Sequence, residues 1–471
     1  MTIGEPNSDR FDGPLRFRRS PGPRPEARRG PPEAQRSAIG AALEWAALIY
    51  AILIFSGMAL FGRNPDPNML QESNPIAFYS NIFILLTFGL LVFVNRAKTA
   101  DFLPFSHLLM VFLAIALFSA LWSLMPGVTL RRFGTLMTTI LAAAYVVMRF
   151  DLQKGVTVIG HGVLIVVALS ILTVIFLPHI GITQPQAGGT DIDIIGTWKG
   201  VLPHKNSLGW ICTAGVQIYA WRFLVERDRR LRHAACVLLF VFVAGETRSS
   251  TAIITIVISL ALVAVLSTRS RRGIGQAALE WGVVAGIVLL LAVVLLNPAD
   301  VMALIGKSAD MTGRFPLWRD LMVSIEKRPL LGYGYGAFWV DLNDERVRIW
   351  ALNPWQPPDA HNAYIEIALQ LGIVGAVAAT LLLLVATKRA IDWCKDAQAQ
   401  WAIYVATFLI VYVVTNVDET QLFRGGDFHC FMLAFCYFTL IRAKQRAAMA
   451  ASAQPRRTAP EPAAAAQPGR F

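Results

Sequence analysis

A chain of 471 residues that is 55% hydrophobic and only 16% charged, with a mean hydropathy of +0.51, holds more apolar surface than a soluble fold of its size could bury. That excludes an ordinary soluble enzyme and reads as an integral membrane protein. Its net charge of +12 arises from 43 Lys and Arg against 31 Asp and Glu. Membrane topology and attraction to anionic lipid account for that charge, so it gives no reason to expect nucleic-acid binding.

Residues 1–37 are rich in Arg and Pro ("RFRRSPGPRPEARRGPP") and cannot bury a core, so a disordered cytoplasmic tail is expected. Apolar stretches of about 20 residues then recur, the length that crosses a bilayer as a helix. Backbone groups must be satisfied inside lipid, so these runs are helices, not barrel strands. Twelve spans are predicted: 38–60, 76–95, 105–124, 130–149, 156–177, 207–224, 233–246, 250–267, 275–296, 362–386, 400–417 and 426–442. The first begins too late and runs too long for a cleaved signal peptide. Residues 449–471 are mostly Ala, Pro, Gln and Arg and form a second expected disordered tail, leaving 38–448 as the transmembrane domain.

Basic segments alternate with this pattern. The N-terminal tail, "NRAK" (95–98), "RFDLQK" (149–154), "ERDRRLRH" (226–233), "TRSRRG" (268–273), "KRAIDWCK" (388–395) and "IRAKQR" (441–446) all fall on one side, which is then cytoplasmic, as are both termini. Two long loops fall on the other side, 178–206 and 297–361, the second between spans 9 and 10. Loops of this length usually serve a function. The five cysteines (Cys212, Cys236, Cys394, Cys430, Cys436) show no CxxC spacing, so neither a structural disulfide nor a zinc site is expected.

Span six opens on "PHKNSLGW". By itself this reads as Asn206 or Ser207 capping a helix, with His204 and Lys205 anchoring it among headgroups. The same outer face, however, also holds Arg131 and Arg132 ("LRRFG"), Arg248 ("GETRSSTAI"), Arg314 ("TGRFPLW"), His361 ("DAHNAY"), and Glu419 and Arg424 ("DETQLFRGG"). Basic residues are normally scarce there, and their excess asks for an anionic ligand. Arg suits phosphate, because its planar fork donates paired hydrogen bonds and keeps its charge. His361 and Asn362 stand at the start of span ten, where free N–H groups favour an anion.

In this order, "HKNSLG", "TRSSTA", "TGRFPLW", "PLLGYGYGAFW" and "HNAYIEIALQLGIVG" resemble the O-antigen ligase and polymerase superfamily, in particular its succinoglycan-type exopolysaccharide polymerase branch, over about residues 120–440. The resemblance implies an all-α, GT-C-like inner-membrane glycosyltransferase that inverts the anomeric centre without a metal or cofactor. Its donor would be an undecaprenyl-diphosphate-linked oligosaccharide on the periplasmic side, and its partners would include chain-length regulators and export proteins. Arg248, Arg314 and His361 occupy the positions of the family's essential residues. The substrate-binding group would comprise His204, Lys205, Asn206, Arg131, Arg132, Asn362, Glu366, Glu419 and Arg424.

Fixed Arg donors would stabilise the charge growing on a diphosphate leaving group. His361 is the first candidate for general base, since imidazole titrates near neutral pH, and it could equally bind diphosphate. Glu419, Asp418 and Glu366 are weaker candidates for the base, and Glu366 could instead pair structurally. "GYGYG" (332–336) lacks the context of a nucleotide loop and reads as a tight turn. Leu317, Leu321 and Ile325 give residues 313–327 one apolar helical face, expected to lie on the membrane. Trp318, Tyr333, Tyr335, Phe338, Trp339, Trp350 and Trp355 are expected at the interface, with sugar stacking as a second use. A ligase with a different acceptor, a lipid-linked oligosaccharide transporter and a non-enzymatic assembly protein remain as alternatives. A transporter should show midplane charges and a repeat between halves, and neither is evident in the sequence.

Overall fold

In the computed structural model, residues 38–58, 75–96, 106–185, 194–268, 313–340, 343–353, 355–396 and 399–453 are described. They form the helices α1 (Ala38–Phe55), α2 (Pro75–Val94), α3 (His107–Phe118), α4 (Pro126–Arg149), α5 (Leu152–Phe176), α6 (Pro178–Gly181), α7 (Lys205–Val225), α8 (Arg230–Glu246), α9 (Ser250–Thr268), α10 (Arg314–Lys327), α11 (Asp344–Leu352), α12 (Ala363–Trp393), α13 (Trp401–Thr415) and α14 (Phe428–Ala453). The chain divides into two units, 1–45 and 46–471; the described part of the first is the opening of α1.

Among the described residues, five helices are long and apolar enough to cross a membrane: α2, α4, α5, α9 and α12. Each expected span that falls on described residues coincides with a helix. The expected ninth span, 275–296, lies outside the described residues, as do the tail 1–37 and residues 297–312 of the large loop. At the other end, α14 continues to Ala453, beyond the expected boundary at 448.

Helix starts follow from local chemistry. Pro126 occupies the first turn of α4, where its missing N–H costs nothing. Asp151 caps α5 by accepting from the Lys154 N–H at 2.8 Å. Helix α7 packs against α5, α8, α9 and α13 and is buried from Leu208 to Arg222 apart from Trp210. Small residues allow this: a Cβ on Gly209 would lie 2.7 Å from the Ala252 Cβ, and one on Gly215 would lie 2.5 Å from the Phe240 ring. The close packing fixes where α7 begins, and therefore where His204, Lys205 and Asn206 stand.

The segment before α12 builds a small core against the first turns of that helix, from Leu317, Leu321, Tyr333, Phe338, Trp339, Ile349 and Ala360 with Leu369 of α12. This corrects two expectations. The apolar face of α10 turns into that core rather than onto a membrane surface, because Leu317 and Leu321 have aromatic partners within the same segment. Most of the aromatics are likewise interior, and their polar tips are spent on backbone and carboxylate: Trp318 Nε1 donates to Ala360 O at 2.9 Å, Trp350 Nε1 to Pro357 O at 2.9 Å and Tyr335 Oη to Phe423 O at 2.6 Å.

"GYGYG" is the tight turn expected, with φ of 65° at Gly332, 100° at Gly334 and 67° at Gly336. It docks on a break in α12. Gly372 (φ 62°, ψ −166°) interrupts the helix, and the freed groups are answered by the loop: Tyr333 N donates to Leu369 O at 2.9 Å, Gly334 N to Gln370 O at 2.8 Å and Ile373 N to Pro329 O at 2.8 Å.

Candidate active site

Five separated segments meet at the end of the helices opposite the basic turns: the start of α7, the α8–α9 turn, the start of α10, the residues leading into α12, and the α13–α14 loop. The last is the hub. Its Asn416 O accepts from Ala363 N at 2.9 Å, and its Asn416 Oδ1 accepts from Gln421 N at 3.1 Å. Asp418, Glu419, Thr420 and Arg424 are thereby held facing the other segments.

Arg314 is the first residue of α10, delivered by Gly313 at φ 85°. Its Nη1 bonds Asp418 Oδ1, and its Nη2 lies 3.7 Å from Glu419 Oε1. Asp418 also accepts from Thr251 Oγ1 at 2.9 Å. Glu419 is buried and accepts from Asn206 Nδ2 at 3.3 Å. Burial pushes its carboxyl up to about 8, against the nearby charge of Arg314, with Asp359 adding to the rise.

The Asn206 side chain is therefore turned to Glu419 and is not the cap of α7. The cap is His204, whose Nδ1 accepts from Asn206 N at 3.2 Å. Burial, then Lys205, His361, Lys199 and Arg314, lower the His204 imidazole to about 4. Lys205 reaches across to the Arg248 carbonyl at 3.4 Å. Arg248 itself has φ 49°, and its exposed side chain has no hydrogen-bond or ion-pair partner among the described residues.

His361 also stands in the left-handed region, at φ 47°. Its ring lies 5.4 Å from Trp355, and its Nδ1 is buried with no partner among the described residues. Burial lowers its pKa, Asp359 opposes this, and Arg314 and Arg424 reinforce it; the net is below the ordinary imidazole range. Asp359 is the neighbour that sequence reasoning missed. It accepts from His361 N at 3.0 Å, Thr420 Oγ1 at 3.0 Å and Arg424 Nη1 at 3.1 Å, and lies 3.9 Å from His361 Nε2. Burial raises the Asp359 carboxyl, but the charges of His361 and Arg424 with these bonds outweigh it and hold it low. The signal was present in "DAHN": an Asp two residues before His361 closes an Asx turn onto its N–H.

The other expected residues fall as follows. Asn362 caps α12, accepting from Tyr364 N at 3.0 Å and Ile365 N at 3.1 Å. Glu366 is buried and saturated by Trp339 Nε1 at 2.9 Å, Ala360 N at 3.0 Å and Gln370 Nε2 at 2.7 Å. Through these three donors it clamps the loop to α12. Arg132 bonds the Gly336 carbonyl and so supports the "GYGYG" turn, and Arg131, the residue before it on α4, is exposed.

All four non-glycine residues with positive φ among those described, Arg248, Gln356, His361 and Phe423, lie on the segments that meet here. Such strain persists only where surrounding structure imposes it, and it concentrates at working sites.

An all-helical membrane protein whose cations and histidine converge at one end of the helices defines the class, and known proteins place it further. Residues 234–380 match the O-antigen ligase family, a stretch that includes Arg248, Arg314 and His361. The chain is also 24% identical over 380 residues, 76% of its own length and 83% of the other's, to the exopolysaccharide production protein ExoQ of Rhizobium meliloti (strain 1021). Together these support the O-antigen ligase and polymerase superfamily, exopolysaccharide branch.

Proposed function

We propose that the protein polymerises undecaprenyl-diphosphate-linked oligosaccharide repeat units on the periplasmic face of the inner membrane, by inverting glycosyl transfer with the lipid diphosphate as leaving group. The observation that carries this reading is the state of the cations. Arg314 and Arg424 are already paired with carboxylates, whereas the Arg248 side chain is exposed and uncommitted beside Lys205. Arg248 then takes the diphosphate and stabilises the charge that develops on it as the anomeric bond breaks.

His361 takes the proton of the acceptor hydroxyl. Its lowered pKa keeps the imidazole neutral and basic at physiological pH. Asp359 holds the backbone that aims it. Glu419 is protonated at neutral pH and so donates a hydrogen bond rather than accepting a proton; Glu366 is spent on the fold. No step calls for a metal.

A ligase reading, with a different acceptor for the same donor, is favoured by the description of the family that residues 234–380 match. One experiment separates the two. Purified protein is incubated with lipid-linked repeat units alone, with EDTA present. A ladder of oligomers is expected, and loss of one oriented donor in Arg248→Ala should slow it by about 10²–10³-fold. No ladder, with transfer restored by a second acceptor, would establish the ligase. An undiminished ladder in Arg248→Ala would overturn its role.

A further inference from the structure

At the basic end, far along the helices from His361, a cavity of about 260 Å³ opens between the α4–α5 turn, the α12–α13 turn and α14. That lies just below the range of about 300–1,000 Å³ typical of sites that enclose a whole ligand, so it suits part of a larger molecule, a headgroup and the start of a chain. The wall is mainly apolar and aromatic: Phe150, Phe435, Trp393 and Trp401, the last two meeting edge-to-face with centroids 5.1 Å apart. The mouth carries Arg442 and Arg446, one helical turn apart on α14. Arg442 is fixed in place, since its Nη1 donates to Phe150 O at 2.6 Å and to Val147 O, and its other N–H groups remain. Arg446 is exposed. Asp151 and Asp396 also line the cavity, but Asp151 is turned to cap α5 and lies 3.9 Å from Lys154. The positive charge is thus gathered on the α14 side.

Two guanidinium groups at the mouth call for an anion, and a deep aromatic wall calls for hydrocarbon. Inorganic phosphate would use only the first, and a zwitterionic lipid chiefly the second. An anionic phospholipid uses both, and basic pockets between spans at the positively flanked membrane face are where such headgroups bind.

We propose that this cavity binds an anionic phospholipid, with the phosphodiester on Arg446 and the remaining donors of Arg442 and an acyl chain along the Trp393–Trp401 wall. The lipid bridges α4, α12 and α14 where their ends meet.

Full-length protein, delipidated in neutral detergent, would be titrated separately with phosphatidylglycerol, phosphatidylcholine and inorganic phosphate, and bound adducts read by native mass spectrometry. Phosphatidylglycerol should bind at least tenfold more tightly than phosphatidylcholine. Arg446→Ala, on an exposed side chain, should lose about tenfold, with Arg446→Lys between. Ala443→Trp, which fills the cavity and keeps both charges, should abolish the adduct. Equal binding of the two lipids, wild-type binding by either loss variant, or displacement of phosphatidylglycerol by millimolar phosphate would overturn the proposal. Glycosyl transfer is not read in this assay, so its outcome is independent of the function proposed above.

Discussion

Asp418 and Glu419 change how Arg314 has to be understood. As an isolated arginine in an outer loop it reads as a diphosphate ligand, yet it sits between two carboxylates in the folded chain. Arg314→Ala would leave the half-buried Asp418 carboxylate without its cation, so loss of activity there would not separate chemistry from folding. Glu419 offers a cleaner test. Because its folded pKa of about 8 lies above the ordinary carboxylate value, the folded chain keeps a proton that the unfolded chain releases. Stability from this group is full below the ordinary value and is lost as pH rises toward 8. His204 and His361, held below their ordinary 6.5, act with the opposite sign and only below that pH. Between pH 6.5 and 8.5 Glu419 should therefore add to the loss of stability with rising pH. The thermal midpoint of the wild type should fall more steeply across that window than that of Glu419→Gln; parallel slopes would remove Glu419 as a cause. The residue types at this site were legible from their excess of charge on one face. Which cations were already paired was not, because pairing depends on contacts such as Arg314 to Asp418, more than 100 positions apart in the chain.

At the level of elements, apolar runs located the helices well and their interruptions poorly. "IALQLGIVGAV" reads as one continuous span because glycine is tolerated in membrane helices. In the fold, Gly372 breaks it, and the α12 residues with exposed apolar side chains, Ile373, Val374, Val377, Leu381 and Leu384, all follow the break. The apolar stripe of α10 was equally visible, but period alone cannot say whether such a stripe faces lipid or a local core, and Leu317 and Leu321 face the core. The break itself is testable. A Cβ at Gly372 would lie 2.2 Å from the Leu330 carbonyl, in a backbone region reserved for glycine. Gly372→Ala should therefore destabilise by at least about 1–3 kcal/mol and undock the "GYGYG" turn. Gly134→Ala, in α4 with nothing within 4 Å, should be neutral or stabilising. Equal melting of the two variants would mean that the break is not required.

Across the whole molecule, the argument turns on the two ends of the helices. The basic segments at 149–154, 388–395 and 441–446 were assigned to one side by charge, and the fold brings their neighbourhoods together: Arg442 bonds Val147 and Phe150, and Trp393 shares a cavity with both. The candidate catalytic residues gather at the opposite ends of the same helices. If charge sets orientation, the end bearing Leu231 is cytoplasmic and the end bearing Arg319 faces outward. Both side chains are highly exposed, Leu231 at 89% and the Arg319 side chain at 81%, so either position tolerates a reporter. The native thiols give little background: Cys212, Cys394, Cys430 and Cys436 are buried, and Cys236, which is partly exposed, can be replaced by Ser. A membrane-impermeant maleimide applied to intact spheroplasts should label Arg319→Cys and leave Leu231→Cys untouched until the membrane is permeabilised. The reverse pattern would place the His361 cluster in the cytoplasm. There nucleotide sugars are available as donors, and the case for a lipid diphosphate leaving group would lose its main physical reason.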